Sequence, residues 1–265
     1  MHATNDSDNA VNISDIYNLS HEELSQFIQN FKKMDIKEVE PTTQNINKNI
    51  CEEDLSIVID ELVNFYFKMV NEGKEDSISK QYVLDYINNH KLNLREIHHW
   101  LLNNPNDSNS IYLLGYFSYH GIGTDISKHK ALVLYQKAAG LENNVAQYNL
   151  AKMYLNGDGV EINHVKVFDL CKKLAEKEYL AGMNRLGYCY ECGIGTDIDT
   201  QKAFELYQKG ANLGNCKSQY NVALMYEFGK GIGKDLYLAK YWYKKSADQG
   251  DNYSKKRLIL LIGMY

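Results

Sequence analysis

The sequence predicts an all-α fold, a solenoid of helical hairpins stacked side by side. Three observations carry that prediction. Side chains recur in register every 36 residues from about Ser108 onward: Tyr112, Tyr148, Asn184 and Tyr220 form one column, and Gly115, Ala151, Gly187 and Ala223 another. Two glycine columns, Gly121, Gly157, Gly193, Gly229 and Gly123, Gly159, Gly195, Gly231, punctuate every unit at the same place. The series Ala131, Val167, Ala203, Ala239 and Tyr135, Cys171, Tyr207, Tyr243 keep the same step without any insertion. Periodicity of this length marks a repeat array, in which each unit buries surface only against its neighbours.

The chain begins with a polar stretch, residues 1–12, that reads as disordered. Ser14 to Met34 is a candidate short helix. Ser20 and Glu23 make a capping box, and Leu24, Phe27, Ile28 and Phe31 form one apolar stripe. Residues 37–49, around Pro41, read as a linker, so 1–50 forms a mostly disordered N-terminal region.

Residues 51–107 read as a helical cap region that buries the first exposed face of the array. Glu52 to Asn71 carries Leu55, Val58, Ile59, Leu62, Val63, Tyr66 and Met69 or Val70 at helical spacing. Phe65 and Phe67 widen that stripe, so more than one partner surface is expected. Gly73 suits a left-handed cap. Ile78–Asn89 follows as a second helix. A third, Leu94–Leu102, opens on the Asn93–Glu96 capping box and stops before Pro105.

Four repeats then occupy 108–250, divided as 108–143, 144–179, 180–215 and 216–250. Each carries a helix A (108–119, 144–155, 180–191, 216–227) and a helix B (127–139, 163–175, 199–211, 235–248). One glycine of each pair is expected to take a positive φ at the end of helix A, and the other to let the chain turn tightly. Ser127, Asn163, Asp199 and Asp235 stand in register as N-caps of helix B. Residues 251–265 start as a fifth unit and drift into an apolar run, a closing helix or a shortened repeat.

Composition narrows the function classes. The 265 residues carry a net charge of -5 and 24% charged side chains, with no basic excess to draw nucleic acid or an acidic membrane. No apolar run is long enough for membrane insertion, and the first residues carry no leader-like pattern. Five cysteines, an odd number, suit a reducing intracellular and cytoplasmic setting.

The repeat motifs resemble the Sel1-like family, relatives of the tetratricopeptide repeats. The stretches that carry the resemblance run Tyr148 to Val160, Asn184 to Thr196 and Tyr220 to Gly231, with the helix-B end from Ala203 to Ala211. The resemblance implies a right-handed α–α superhelix of hairpins that serves as an adaptor or scaffold for other proteins. The second repeat departs from the pattern at Val167, Cys171 and Asp158, which suggests a looser unit. Residues 51–107 resemble the segment that links fungal protein kinase domains to such repeats. No nucleotide loop, His-Arg-Asp or Asp-Phe-Gly is present, so kinase activity is not carried over.

No catalytic, cofactor or metal constellation emerges. Cys189 and Cys192 have the spacing of a metal or redox pair, but zinc needs four ligands and no second pair lies nearby, so they read as packing residues with Cys171 and Cys216. His98 and His99 point about 100° apart on a helix. His120, His129 and His164 fall at turns or helix starts. The glycine pairs follow a helix, so they are no phosphate loop.

The surface that repetition creates is a concave groove lined by helices A. Its variable positions are Leu113, Tyr116, Asn149, Lys152, Arg185, Tyr188, Asn221 and Leu224. Tyrosine and arginine favour binding hot spots, and asparagine amides can bond a peptide backbone. The expected function is a non-catalytic adaptor holding a partner segment there. The alternative is a regulatory or targeting region of a protein-kinase signalling system whose kinase domain is absent from this chain.

Overall fold

The structure, a computed structural model, describes residues 52–263; the expected helix at 14–34, its linker and Cys51 lie outside them. Every regular element among the described residues is a helix. Three precede the repeats: α1 (Glu52–Glu72), α2 (Asp76–Asn89) and α3 (Leu94–Asn103). The A helices of the four repeats are α4 (Ser108–His120), α6 (Asn144–Asn156), α8 (Leu180–Cys192) and α10 (Cys216–Phe228). Their B partners are α5 (Lys128–Gly140), α7 (His164–Glu176), α9 (Thr200–Asn212) and α11 (Leu236–Asp248). A fifth A-type helix, α12 (Asn252–Ile262), closes the described chain. Each helix from α4 to α12 packs on the one before it, as stacked hairpins must.

Local chemistry sets these boundaries. Ser127, Asn163, Asp199 and Asp235 each accept a hydrogen bond from the backbone N–H three residues on, as their column predicts. The A helices have a cap column too, which the sequence reading missed. Asp107, Asn143, Asn215 and Asp251 accept from Ser110, Ala146, Ser218 and Ser254. Tyr179 breaks that column and makes no cap bond.

Both glycines of every turn are left-handed, with φ between 65° and 74°, whereas only one was expected to be. The second has a further reason to be glycine. A Cβ on Gly159 would lie 2.8 Å from the Lys128 Cβ, and on Gly195 or Gly231 it would strike the carbonyl oxygen of His164 or Thr200. From the second repeat on, each turn therefore presses on the start of helix B in the repeat before it, while Gly123 of the first faces Leu94 of α3. A third left-handed column sits between the hairpins: Glu142, Glu178, Gly214 and Gly250.

Within a hairpin the small column on helix A makes room for a ring on helix B. A Cβ on Gly115 would meet the Tyr135 ring at 2.8 Å, and on Gly187 the Tyr207 ring at 2.7 Å. In the second repeat Cys171 replaces the tyrosine and Ala151 the glycine, and both are fully buried. That unit is not loose. Its helices have the same 13 residues as the others, and Asp158 accepts from the Tyr119 hydroxyl at 2.8 Å and pairs with Lys128, tying the second turn to the first repeat.

The N-terminal helices are more than an end cap. Leu55, Ile59, Leu62, Val63, Tyr66, Met69 and Val70 of α1 are all buried. Helix α1 crosses the A helices in turn. Asn109 of α4 donates to Asp60, Tyr66 donates to Asn149 of α6, and Asn71 accepts from the Ala181 N–H of α8 at 3.2 Å. Asn215, at the start of α10, donates to the Asn71 carbonyl at 2.7 Å. The chain turns at Gly73 (φ 82°), and α2 returns over the other ends of the A helices, with Asp76 paired to Lys152 and Lys80 donating to the His120 carbonyl.

Candidate protein-binding groove

The eight candidate residues occupy two columns, and their fates divide along the array. Leu113 and Tyr116 of the first repeat are fully buried. The Tyr116 ring meets Tyr66 of α1 edge-on at 5.0 Å. Asn149 of the second repeat is buried between Tyr66 and Tyr112, accepting from one hydroxyl and donating to the other. Lys152 is engaged by Asp76. The chain's own α1 and α2 therefore engage these positions in the first two repeats, and the four are not free for a partner.

The magnitudes show that this cover is part of the core. Burying seven apolar or aromatic side chains at about 1.5–3 kcal/mol each gives an upper bound of roughly 10–20 kcal/mol. A partner binding at nanomolar affinity supplies about 12 kcal/mol in total, before any cost of exposing those side chains. Displacing α1 is therefore not an ordinary binding event.

The same two columns are more exposed in the third and fourth repeats. Tyr188 of α8 is 42% exposed. Asn221 and Leu224 of α10 are half-buried on the same two columns. Phe228 (56% exposed) and, on α12, Leu260 (57%) and Tyr253 (62%) extend this surface, and the sequence reading did not include them. Phe228 falls in the column of His120 and Leu260 in that of Leu224, so the repeat register locates both.

Arg185 marks the boundary between the closed and open parts. Its Nη2 donates to the Tyr148 hydroxyl at 3.2 Å, its guanidinium lies 5.1 Å from the Tyr148 ring centre, and its Nε is buried without a hydrogen-bond partner. Burial pushes the Tyr148 hydroxyl up, but Arg185, Lys217 and Lys152 pull it down further, to a value below its ordinary 10.0. Partial burial likewise pushes the Asp76 carboxyl up, and Lys152, Lys217 and Arg185 together bring it below its ordinary 3.8. The floor of the groove is cationic at this point.

The other candidate chemistry disperses. Cys189 is buried and Cys192 exposed, and both are free thiols. Burial, then Lys80, push the His120 imidazole down to about 4. Among the described residues no three His, Cys, Asp or Glu side chains gather as a metal site. A cavity of about 220 Å³ lies between α1 and the start of α8, lined by Phe67, Asn71, Leu180 and Leu213. That is below the roughly 300–1,000 Å³ of a typical ligand pocket. Among the described residues, no helix is long and apolar enough to cross a membrane.

The profile of the Sel1 repeat matches residues 108–143, 144–179, 180–215 and 216–251. Among solved structures, a Sel1 repeat protein from Oxalobacter formigenes is 26% identical with a TM-score of 0.55, covering 74% of this chain and 73% of that one. A protective antigen present in uropathogenic Escherichia coli strains, displaying an SLR fold, is 21% identical with a TM-score of 0.58. That match covers 79% of this chain and 51% of the antigen, and it speaks to fold alone. No curated protein matches the sequence.

Proposed function

Because the chain belongs to the Sel1 repeat family, we propose that it is a non-catalytic adaptor that holds a segment of a partner protein on the open half of its concave face. The fold is the right-handed α–α solenoid of that family, and Sel1 repeat proteins generally mediate protein–protein interaction. The observation that carries the reading is the division of the groove. Tyr188, Asn221 and Leu224 stay accessible while Leu113, Tyr116 and Asn149 are buried, the last two against Tyr66 of α1. Tyrosine is a residue type enriched at binding hot spots, and an asparagine amide can bond a partner's backbone.

The test is site-specific photocrosslinking in cells. A photoreactive residue at position 188 or 224 should capture a defined partner that one at Lys172, an exposed site on helix B, does not. Equal capture from all three positions would remove the groove assignment. Combined alanine changes at Tyr188, Asn221 and Leu224 should reduce capture while leaving helical content unchanged. The kinase-linked alternative draws no support from geometry, since residues 52–103 serve the fold of this chain.

A further inference from the structure

The open groove has a chemical preference, and the argument for it rests on the adaptor reading above. The neighbouring stretch of the same face already carries an α-helix. Tyr66 of α1 reaches the columns of Tyr116 and Asn149, which continue without a break to Tyr188, Asn221, Leu224 and Leu260. The open stretch spans α8, α10 and α12. At 8–10 Å between helix axes that is about 16–20 Å, or roughly 11–13 residues of a helix laid across them.

Charge selects further. Arg185 has one hydrogen-bond acceptor, a neutral hydroxyl, and its buried Nε has none. A buried guanidinium N–H without a partner is costly, and a carboxylate is the acceptor that matches its fork. Lys217, one helical turn before Asn221 on α10, makes no ion pair among the described residues, and it lowers the Tyr148 hydroxyl together with Arg185. One acid from α2, Asp76, already stands on this face, paired with Lys152 and within reach of the charges on Lys217 and Arg185. Further along, Arg257 is committed to the buried Glu227, so the excess of positive charge lies where Arg185, Lys217 and Lys152 face the single carboxylate of Asp76.

We infer that the occupant of the open groove is an acidic amphipathic α-helix of about three to four turns, with its apolar stripe on Tyr188, Leu224 and Leu260 and a carboxylate on Arg185 and Lys217. It lies beside α1 as a second helix across the same face.

The probe is a fluorescently labelled synthetic peptide with the sequence of residues 52–72, which has a groove-fitting stripe, six acidic residues and one lysine. A second peptide replaces every Asp and Glu by Asn and Gln. Anisotropy titrations use the full chain. The acidic peptide should bind at least about tenfold more tightly than the neutral one, and its advantage should shrink as salt rises. Lys217→Ala and Arg185→Lys should each erode that advantage; the lysine variant keeps charge and packing while losing the fork. Equal affinity of the two peptides, or no saturation by the acidic one up to about 1 mM, overturns the acidic-helix assignment. Equal affinities that still fall on Tyr188→Ala and Leu224→Ala would overturn it while leaving the groove reading intact. Affinity indifferent to Tyr188 and Leu224 would remove both.

Discussion

Asn71 belongs to α1, yet it completes the start of α8. Its side-chain oxygen takes the Ala181 N–H, another open donor of the first turn of α8, where Tyr179 stands in place of the Asn or Asp of the other repeats and makes no cap bond. Asn71→Ala should therefore cost about 1–2 kcal/mol in urea unfolding, while Asn71→Asp, which keeps the acceptor and adds charge at a helix N-terminus, should cost little. Glu178 sits at φ 57° in the column that Gly214 and Gly250 occupy. Glu178→Gly should stabilise the chain by up to about 1 kcal/mol, the relief of a left-handed side chain offset in part by loss of the exposed pair with Lys209. His120, packed on Tyr116 and held near 4 instead of 6.5, predicts a pH effect. The unfolded chain takes up the proton first, so this contribution is complete above about 6.5 and is lost as pH falls toward 4. Denaturation of His120→Asn across that window should show a flatter slope, with at most about 1.4 kcal/mol per pH unit removed. The helix-B caps were legible because Ser, Asn and Asp recur in one column. The α8 cap was not, because its acceptor comes from a distant helix.

Between elements, the turns decide the spacing of the array. Gly193 and Gly195 share the same φ of 70°. A Cβ on Gly193 meets Ile198 Cγ1 at 3.0 Å, the flexible part of a side chain, whereas one on Gly195 meets the His164 backbone. Gly193→Ala should cost about 1–2 kcal/mol for the left-handed backbone alone, and Gly195→Ala about 3 kcal/mol or more, because α7 and the turn must separate. Thermal unfolding of the two variants checks the ranking. Both glycine columns could be read from the sequence, but the reason for the second could not, since its contact is with the previous repeat. Asp158 misled for a related cause. Alone between two glycines it looks like a defect, and only its bonds to Tyr119 and Lys128 across the repeat boundary reveal a tie.

At the scale of the whole molecule, the 36-residue period determined the hairpins and the concave face, and the wide stripe of α1, with Phe67 packed against Tyr179 at 4.6 Å, signalled more than one partner surface. What the period could not show was where α1 would lie. An end cap and a groove filler have the same amphipathic pattern, and contacts such as Asn71 with Ala181 and Asn215 join segments far apart in sequence. On the proposed reading the consequence is functional: Leu113, Tyr116, Asn149 and Lys152 are spent on the chain's own fold, leaving Tyr188, Asn221 and Leu224 to a partner. Native-state hydrogen exchange of the full chain tests that claim most directly. The account predicts that the α1 amides around Leu62 to Met69 exchange only with global unfolding, at the same rate limit as the most protected amides of α6 and α8. Exchange of α1 within minutes while α6 and α8 stay protected would make it a detachable lid and return the whole groove to the partner.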